Sequence, residues 1–276
     1  MQVIAIGGPE GTHAGVRRAA RTLGEVVEAV APLSSDDVVL ATRDAAARRV
    51  ARSARLVLGP ERIGVLHVDA PVTAWAVMLA GLCSPGLTAS SARVVADEVL
   101  SRTVTRVLLS SVASLHRPTP TFRQHAGSYL PRTAFVVDPG RGSAAGSVRR
   151  YRGGDMGVPG GGALLVTARS AKPVVPDEAD ELLPRPPETE LADAEPGWSA
   201  ARWLEASTIE GSLEVAVATA LARSYLWGAC DACGRAVAET CIFCDIAERR
   251  PRPEAGAARK AGVQAGTQAE TQGVIS

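Results

Sequence analysis

Apolar residues along this chain fall into short uninterrupted runs separated by stretches whose apolar positions recur three or four residues apart. The runs at 2–6, 37–41, 63–69, 104–110, 133–138 and 163–167 predict strands, and 13–23, 43–54, 72–82 and 90–102 predict helices between them. Strands alternating with helices predict an α/β domain over residues 1–175, a mostly parallel sheet with flanking helices. Residues 176–197 break the pattern. They hold five prolines, eight acidic residues and one arginine, a composition that buries little and predicts a solvated linker. Helical patterning resumes at 198–206 and at 212–227. In the second of these Ser212 is a plausible N-cap, and Leu213, Val217, Leu221 and Tyr225 recur at four-residue spacing. Residues 249–276 are rich in Pro, Gly, Ala and Gln, with a loose repeat over 261–273, which predicts a disordered tail.

Composition narrows the class without choosing a function. With 46% apolar and 21% charged residues in 276, the chain can bury a core and does not read as disordered. Its longest apolar run, 74–83, stops well short of a bilayer span. Met1 leads straight into the first strand with no basic leader region. These features predict a cytoplasmic protein without a membrane partner. No G-x-x-x-x-G-K-[ST] occurs, which excludes a Walker-type phosphate loop. A net charge of +1 excludes a globally basic nucleic-acid binder but not a local patch.

Four of the five cysteines change the picture. Cys230, Cys233, Cys241 and Cys244 form C-x2-C-x7-C-x2-C, two knuckles that can surround one tetrahedral zinc ion. Gly234 suits the tight knuckle turn. Such a four-thiolate site is closed, so the zinc is expected to be structural, and residues 198–248 read as a helical segment ending in a zinc-ribbon-like module. Disulfides do not persist in a reducing cytosol; four free thiols or an iron–sulfur cluster would fit the same spacing. Ile242 and Phe243, between the last two cysteines, are expected to pack on the body of the protein or on a protein partner. Cys83 stands alone in an apolar segment and reads as a core filler.

Two further features carry chemistry. Residues 4–12 are a strand running into a glycine-rich turn before the predicted helix at His13, which would aim backbone N–H groups at an anion. Gly7, Gly8, Gly11 and Thr12 are therefore the candidate cofactor-binding residues, although many such turns bind nothing. Between Arg102 and Arg152 lie nine arginines and one acidic residue, Asp138, interleaved with Phe122, Tyr129, Phe135 and Tyr151. Guanidinium groups pair phosphates and stack on bases, so Arg149, Arg150 and Arg152 are candidate nucleic-acid contacts, if they are not ordinary solvated arginines.

The segment from Cys230 to Cys244, followed by Arg249-Arg250-Pro251-Arg252-Pro253, resembles the C-terminal zinc finger of cytoplasmic tRNA 2-thiolation proteins. Those are PP-loop ATP pyrophosphatases, and Ile6-Gly7-Gly8-Pro9-Glu10-Gly11-Thr12 stands where their loop would be. The resemblance implies ATP phosphates at the loop and tRNA at the arginine-rich stretch. The loop departs from the family pattern at Ile6, Glu10 and Gly11, and no catalytic cysteine pair accompanies Cys83, which implies a non-catalytic partner. Gly8-Pro9-Glu10-Gly11-Thr12 also resembles the opening motif of prephenate dehydratase, with Thr133-Ala134-Phe135 in place of that family's Thr-Arg-Phe, and implies a lyase of aromatic amino-acid synthesis. A third expectation is a zinc-ribbon interaction protein whose α/β part is a scaffold.

Overall fold

The computed structural model describes residues 1–33, 37–59, 61–141, 144–175, 181–195, 197–224, 228–237, 240–244 and 246–247. The expected tail, 249–276, lies outside them.

A first sheet is built early in the chain from β1 (Gln2–Ile6), β2 (Val16–Ala19), β3 (Val38–Thr42) and β4 (Ile63–His67), all parallel, in the order β2-β1-β3-β4. Alternate residues of a strand face opposite sides, and both sides here are apolar. Ile4, Ile6, Val38 and Leu40 face Val26, Ala47, Ala51 and Ala54 of α1 (Leu23–Val30) and α2 (Ala45–Leu58). Val3, Ala5, Val39 and Ala41 join the central core on the other side. The helix expected at 13–23 is absent: β2 occupies its middle, beside β1, and α1 starts only after Thr22. Thr22 caps that helix, accepting from the Glu25 N–H at 3.4 Å.

Next comes α3 (Val72–Leu82), with all eleven residues buried. A helix apolar on every side must be covered on every side. It packs against the first sheet, against α4 (Ala92–Arg102) and against a second sheet. That second sheet comprises β5 (Thr103–Leu109), β6 (Phe135–Asp138), β7 (Ser147–Arg150), β8 (Ala163–Arg169), β9 (Thr189–Leu191) and β10 (Trp203–Ile209), in the order β7-β6-β5-β10-β8-β9. Its neighbours are antiparallel except for the parallel pair β8 and β9. The short helix α5 (Phe122–Gly127) connects β5 to β6, and α6 (Leu213–Ser224) follows β10 and packs on α4. Ser212 does cap α6, its Oγ accepting from the Val215 N–H at 3.2 Å. The class is therefore α/β, with one parallel and one mixed sheet. Within 176–197, Thr189–Leu191 form a sheet strand and Ala192 exchanges both backbone hydrogen bonds with Glu10 at 3.1 Å.

The expected helix at 198–206 is replaced by β10, the strand between β5 and β8. It carries Glu205, fully buried, whose Oε1 accepts from the backbone N–H and the hydroxyl of Thr73, each at 2.7 Å, while Oε2 accepts from Trp198 Nε1 at 2.6 Å. Thr73 lies in the first turn of α3, whose cap residue Pro71 supplies no side-chain bond. A carboxylate from the second sheet thus satisfies a donor that the local sequence leaves open. Thr73, Ser207 and Thr105 continue the network as hydroxyl pairs at 2.7 Å.

Candidate functional site

The four knuckle cysteines come together. Their sulfurs all lie within 4.8 Å of one another, with Cys230–Cys244 at 3.8 Å and Cys233–Cys241 at 3.6 Å. The turn that makes this possible runs through Gly234, at φ +70°, whose N–H donates to the Cys230 carbonyl at 2.8 Å. Burial and the crowding of neighbouring thiols push Cys244 up, and burial raises Cys241. Cys233 goes the other way: burial opposes ionisation, but the Arg235 N–H and the surrounding thiols favour its thiolate. Four sulfurs this close cannot all be charged without a cation among them, and the set could hold a metal ion. The module around them sits on the edge of the first sheet. Val65 of β4 donates its N–H to the Ile242 carbonyl at 2.8 Å, and Ile242 and Phe243 are buried there, 7% and 2% exposed. Arg235 stacks 3.9 Å from the Phe243 ring centroid and forks onto Asp37 at 2.6 and 3.1 Å.

A second site lies outside the carboxyl ends of β1 and β3. From their carboxyl ends the chain leaves β1 toward β2 on one side and leaves β3 toward β4 on the other, so this is a topological switch point, where open α/β sheets place their ligands. The cleft there measures about 420 Å³ and is lined by Gly7, Gly8, Arg18, Arg21, Arg43 and Glu195, among others. Gly7 has φ +68°, and a Cβ on it would come within 2.4 Å of Arg21 Nε, so only glycine lets that guanidinium lie across the turn. Arg21 pairs with Glu195 at 2.6 Å and with Asp44 at 3.0 Å. Burial works against the Arg21 cation, but Glu195 and Asp44 outweigh it and hold it charged. Of the expected loop residues, Gly7 and Gly8 line the cleft, whereas Gly11 and Thr12 do not. Gly11 instead abuts the Glu190 carbonyl, and His13 Nδ1 accepts from the Gly15 N–H at 3.1 Å. The turn delivers the chain into β2 and not into a helix, so the helix terminus expected to bind ATP phosphates is missing.

Four arginines of the arginine-rich stretch are taken up by the protein itself, while Arg117, Arg123, Arg132, Phe122 and Tyr129 are exposed. Arg106 pairs with Asp138 at 2.8 Å, Arg141 forks onto Glu210 at 3.0 Å, Arg102 pairs with Glu98 at 2.7 Å, and Arg149 donates to the Met156 carbonyl at 2.9 Å. Arg150 and Arg152 are exposed, while Phe135 and Tyr151, expected beside them as stacking platforms, are buried. Cys83 is half-buried, and burial raises its thiol.

A third feature has almost no trace in the sequence. On the outer face of the second sheet, Val174, Val175, Leu182, Leu183, Trp203 and Leu204 line a groove of about 190 Å³, with Arg169 at its rim held by Glu190 at 2.7 Å. The Val174-Val175 and Leu182-Leu183 pairs flanking the acidic prolines are its only signal there.

No family model and no curated protein matches this chain. Solved structures do. A DegV family protein from Eubacterium eligens, loaded with heptadecanoic acid, aligns with a TM-score of 0.53 at 13% identity, covering 76% of this chain and 100% of that one. A stearic acid-binding protein from Eubacterium ventriosum aligns with a TM-score of 0.51 at 9% identity, covering 78% and 99%. The likeness is one of fold. It corrects the expected kinship, which was with PP-loop tRNA 2-thiolation proteins or prephenate dehydratase. The nucleotide, tRNA-modification and RNA-partner expectations fall with it, and the turn after β1 lacks the helix terminus that the phosphate reading required. The lyase motif is split as well: residues 8–12 lie in the connection between β1 and β2, and Thr133-Ala134-Phe135 leads into β6 of the second sheet. The protein partner expected at the zinc module is displaced by β4, which Ile242 and Phe243 cover. No helix among the described residues is long and apolar enough to cross a membrane.

Proposed function

We propose that this chain binds an amphiphile of the fatty-acid class, with an acyl segment in the groove of the second sheet and the carboxylate at Arg169. The lining carries the reading: six apolar side chains present hydrocarbon, and one guanidinium stands at the rim. The fatty acids held by two proteins of the same fold support the class of ligand. At about 190 Å³ the groove is smaller than a whole small-molecule site, typically about 300–1,000 Å³, so it takes a stretch of chain and not the full ligand. Each buried methylene contributes about 0.8 kcal/mol, so two carbons tighten binding roughly tenfold until the groove is full. Titrating the delipidated protein with hexanoate, octanoate, decanoate and stearate, read by calorimetry, should show that rise and then a plateau. Leu183→Asp should abolish it. A response that is absent, or flat with chain length, refutes the reading.

The four-cysteine cluster is proposed to hold structural zinc. A tetrahedron with Zn–S bonds of about 2.3 Å has sulfur–sulfur edges of about 3.8 Å, close to the 3.6 and 3.8 Å seen here. Metal analysis of the purified protein should give one zinc per chain, falling sharply in Cys233→Ser. A metal-free, fully folded protein would exclude it.

A further inference from the structure

We propose that the cleft outside β1 and β3 is a binding site for an anionic group, a carboxylate or a phosphate, held by Arg18, Arg21 and Arg43, and that Glu195 occupies that place until the anion displaces it. The cleft and the acyl groove share no lining residue, so this inference stands apart from the fatty-acid reading.

The arginines converge from separate segments. Arg18 and Arg21 flank the end of β2, and Arg43 follows β3. Each is steadied by a contact at the wall. Arg18 Nε donates to the Gly8 carbonyl at 3.0 Å, and its Nη1 pairs with Glu10 at 3.1 Å. Asp44, the cap of α2, fixes Arg21 from below at 3.0 Å. What faces the opening is Glu195. Its carboxylate meets Arg21 Nη1 at 2.6 Å and its carbonyl accepts from Arg43 Nη2 at 3.3 Å.

Glu195 is poorly placed as a permanent partner. Its side chain is 65% exposed, so the pair is worth little in water, and the carboxylate can move to solvent at small cost. The Arg21 Nε is buried with no partner among the described residues. The cleft thus keeps guanidinium donors in a fixed arrangement, and the carboxylate that pairs with Arg21 from the solvent side belongs to the chain itself; exposed Asp193 also lines the cleft but makes none of the pairs with Arg18, Arg21 or Arg43 described above. An incoming anion restores the charge that Glu195 removes on leaving, and a tetrahedral or planar oxyanion accepts from two guanidinium groups where one Glu195 oxygen accepts from one.

The test is calorimetric titration of the full-length protein with inorganic phosphate and with propionate, which is too short to fill the acyl groove. Glu195→Gln removes the internal competitor and should tighten binding roughly two- to fivefold. Arg43→Gln should weaken it by a similar factor, while its unchanged thermal midpoint certifies the fold. Phosphate bound in preference to propionate assigns the site to a phosphoryl group; the reverse order assigns it to a carboxylate headgroup. Stearate that binds without displacing phosphate resides in the groove and leaves the inference intact. Equal affinities in wild type and Glu195→Gln, or no binding to Glu195→Gln, overturn it.

Discussion

Glu205 is the residue at which burial and hydrogen bonding pull hardest in opposite directions. Burial raises its carboxyl, and the Thr73 and Trp198 donors, with the charge of Arg43, recover only part of that. The folded state therefore binds its proton to a higher pH than the unfolded chain does. The stabilisation is fully present below the unfolded carboxyl range and is lost as pH rises through the raised folded value. Glu205→Gln cannot titrate, so its stability relative to wild type should improve between pH 4.5 and pH 7.5 in urea denaturation. A difference that stays constant over that range removes Glu205 as the titrating group. Gly7 makes a second case. An alanine there meets both the left-handed backbone and Arg21, so Gly7→Ala should cost roughly 1–3 kcal/mol. The sequence points to Gly7, because a strand running into glycine is a local pattern. It is silent on Arg21 facing Glu195, residues 174 apart in the chain, because only the folded sheet brings them together.

At the scale of elements, what the sequence discloses depends on whether burial is uniform. β1 and α3 match their expected limits, since each is apolar but for one residue, Gln2 and Thr73 respectively, and no neighbour competes for it. β10 reads as helix because Glu205, Ser207 and Thr208, polar yet fully buried, disguise a strand buried on both faces. β2 is hidden because Arg17 and Arg18 lie exposed in an edge strand; the capping pattern Thr22-x-x-Glu25 is the sign that a helix begins only there. The cysteine spacing is legible, but the place where the module docks is not. That place has a consequence. β4 ends the first sheet, and an uncovered edge strand invites pairing with another chain. Ile242 accepts from Val65 and packs on Gly64, where a side chain would strike it at 2.7 Å. Chelating the proposed zinc should loosen this cover, raising hydrogen exchange at Val65 while β1 and β3 amides stay protected. Self-association on chelation would follow from the same exposure. Unchanged exchange at Val65 in metal-stripped protein would mean that the module docks without its ion.

For the molecule as a whole, the decisive arrangement is one that no local pattern could announce: two sheets built on a single helix. α3 is buried against both, and the central core is continuous from Val3 and Val39 of the first sheet, through Trp75, Met78 and Leu79, to Val107, Phe135 and Val166 of the second. β10, encoded after the acidic prolines, completes the second sheet by pairing with both β5 and β8, so the chain must return across the expected linker before that sheet exists. The Glu10–Ala192 exchange ties the same return segment to the first sheet. A core shared in this way leaves the inner face of each sheet dependent on the other side for its cover, and the two should unfold together. In a guanidinium titration, the exchange protection of β5 and β10 in the second sheet and that of β1 and β3 in the first should therefore share one midpoint. Trp75→Ala should lower that midpoint for both reporters, by the roughly 3–5 kcal/mol typical of a buried aromatic truncation. Two separated transitions, or a Trp75→Ala effect confined to one sheet, would show that α3 belongs energetically to one side and that the other sheet stands alone.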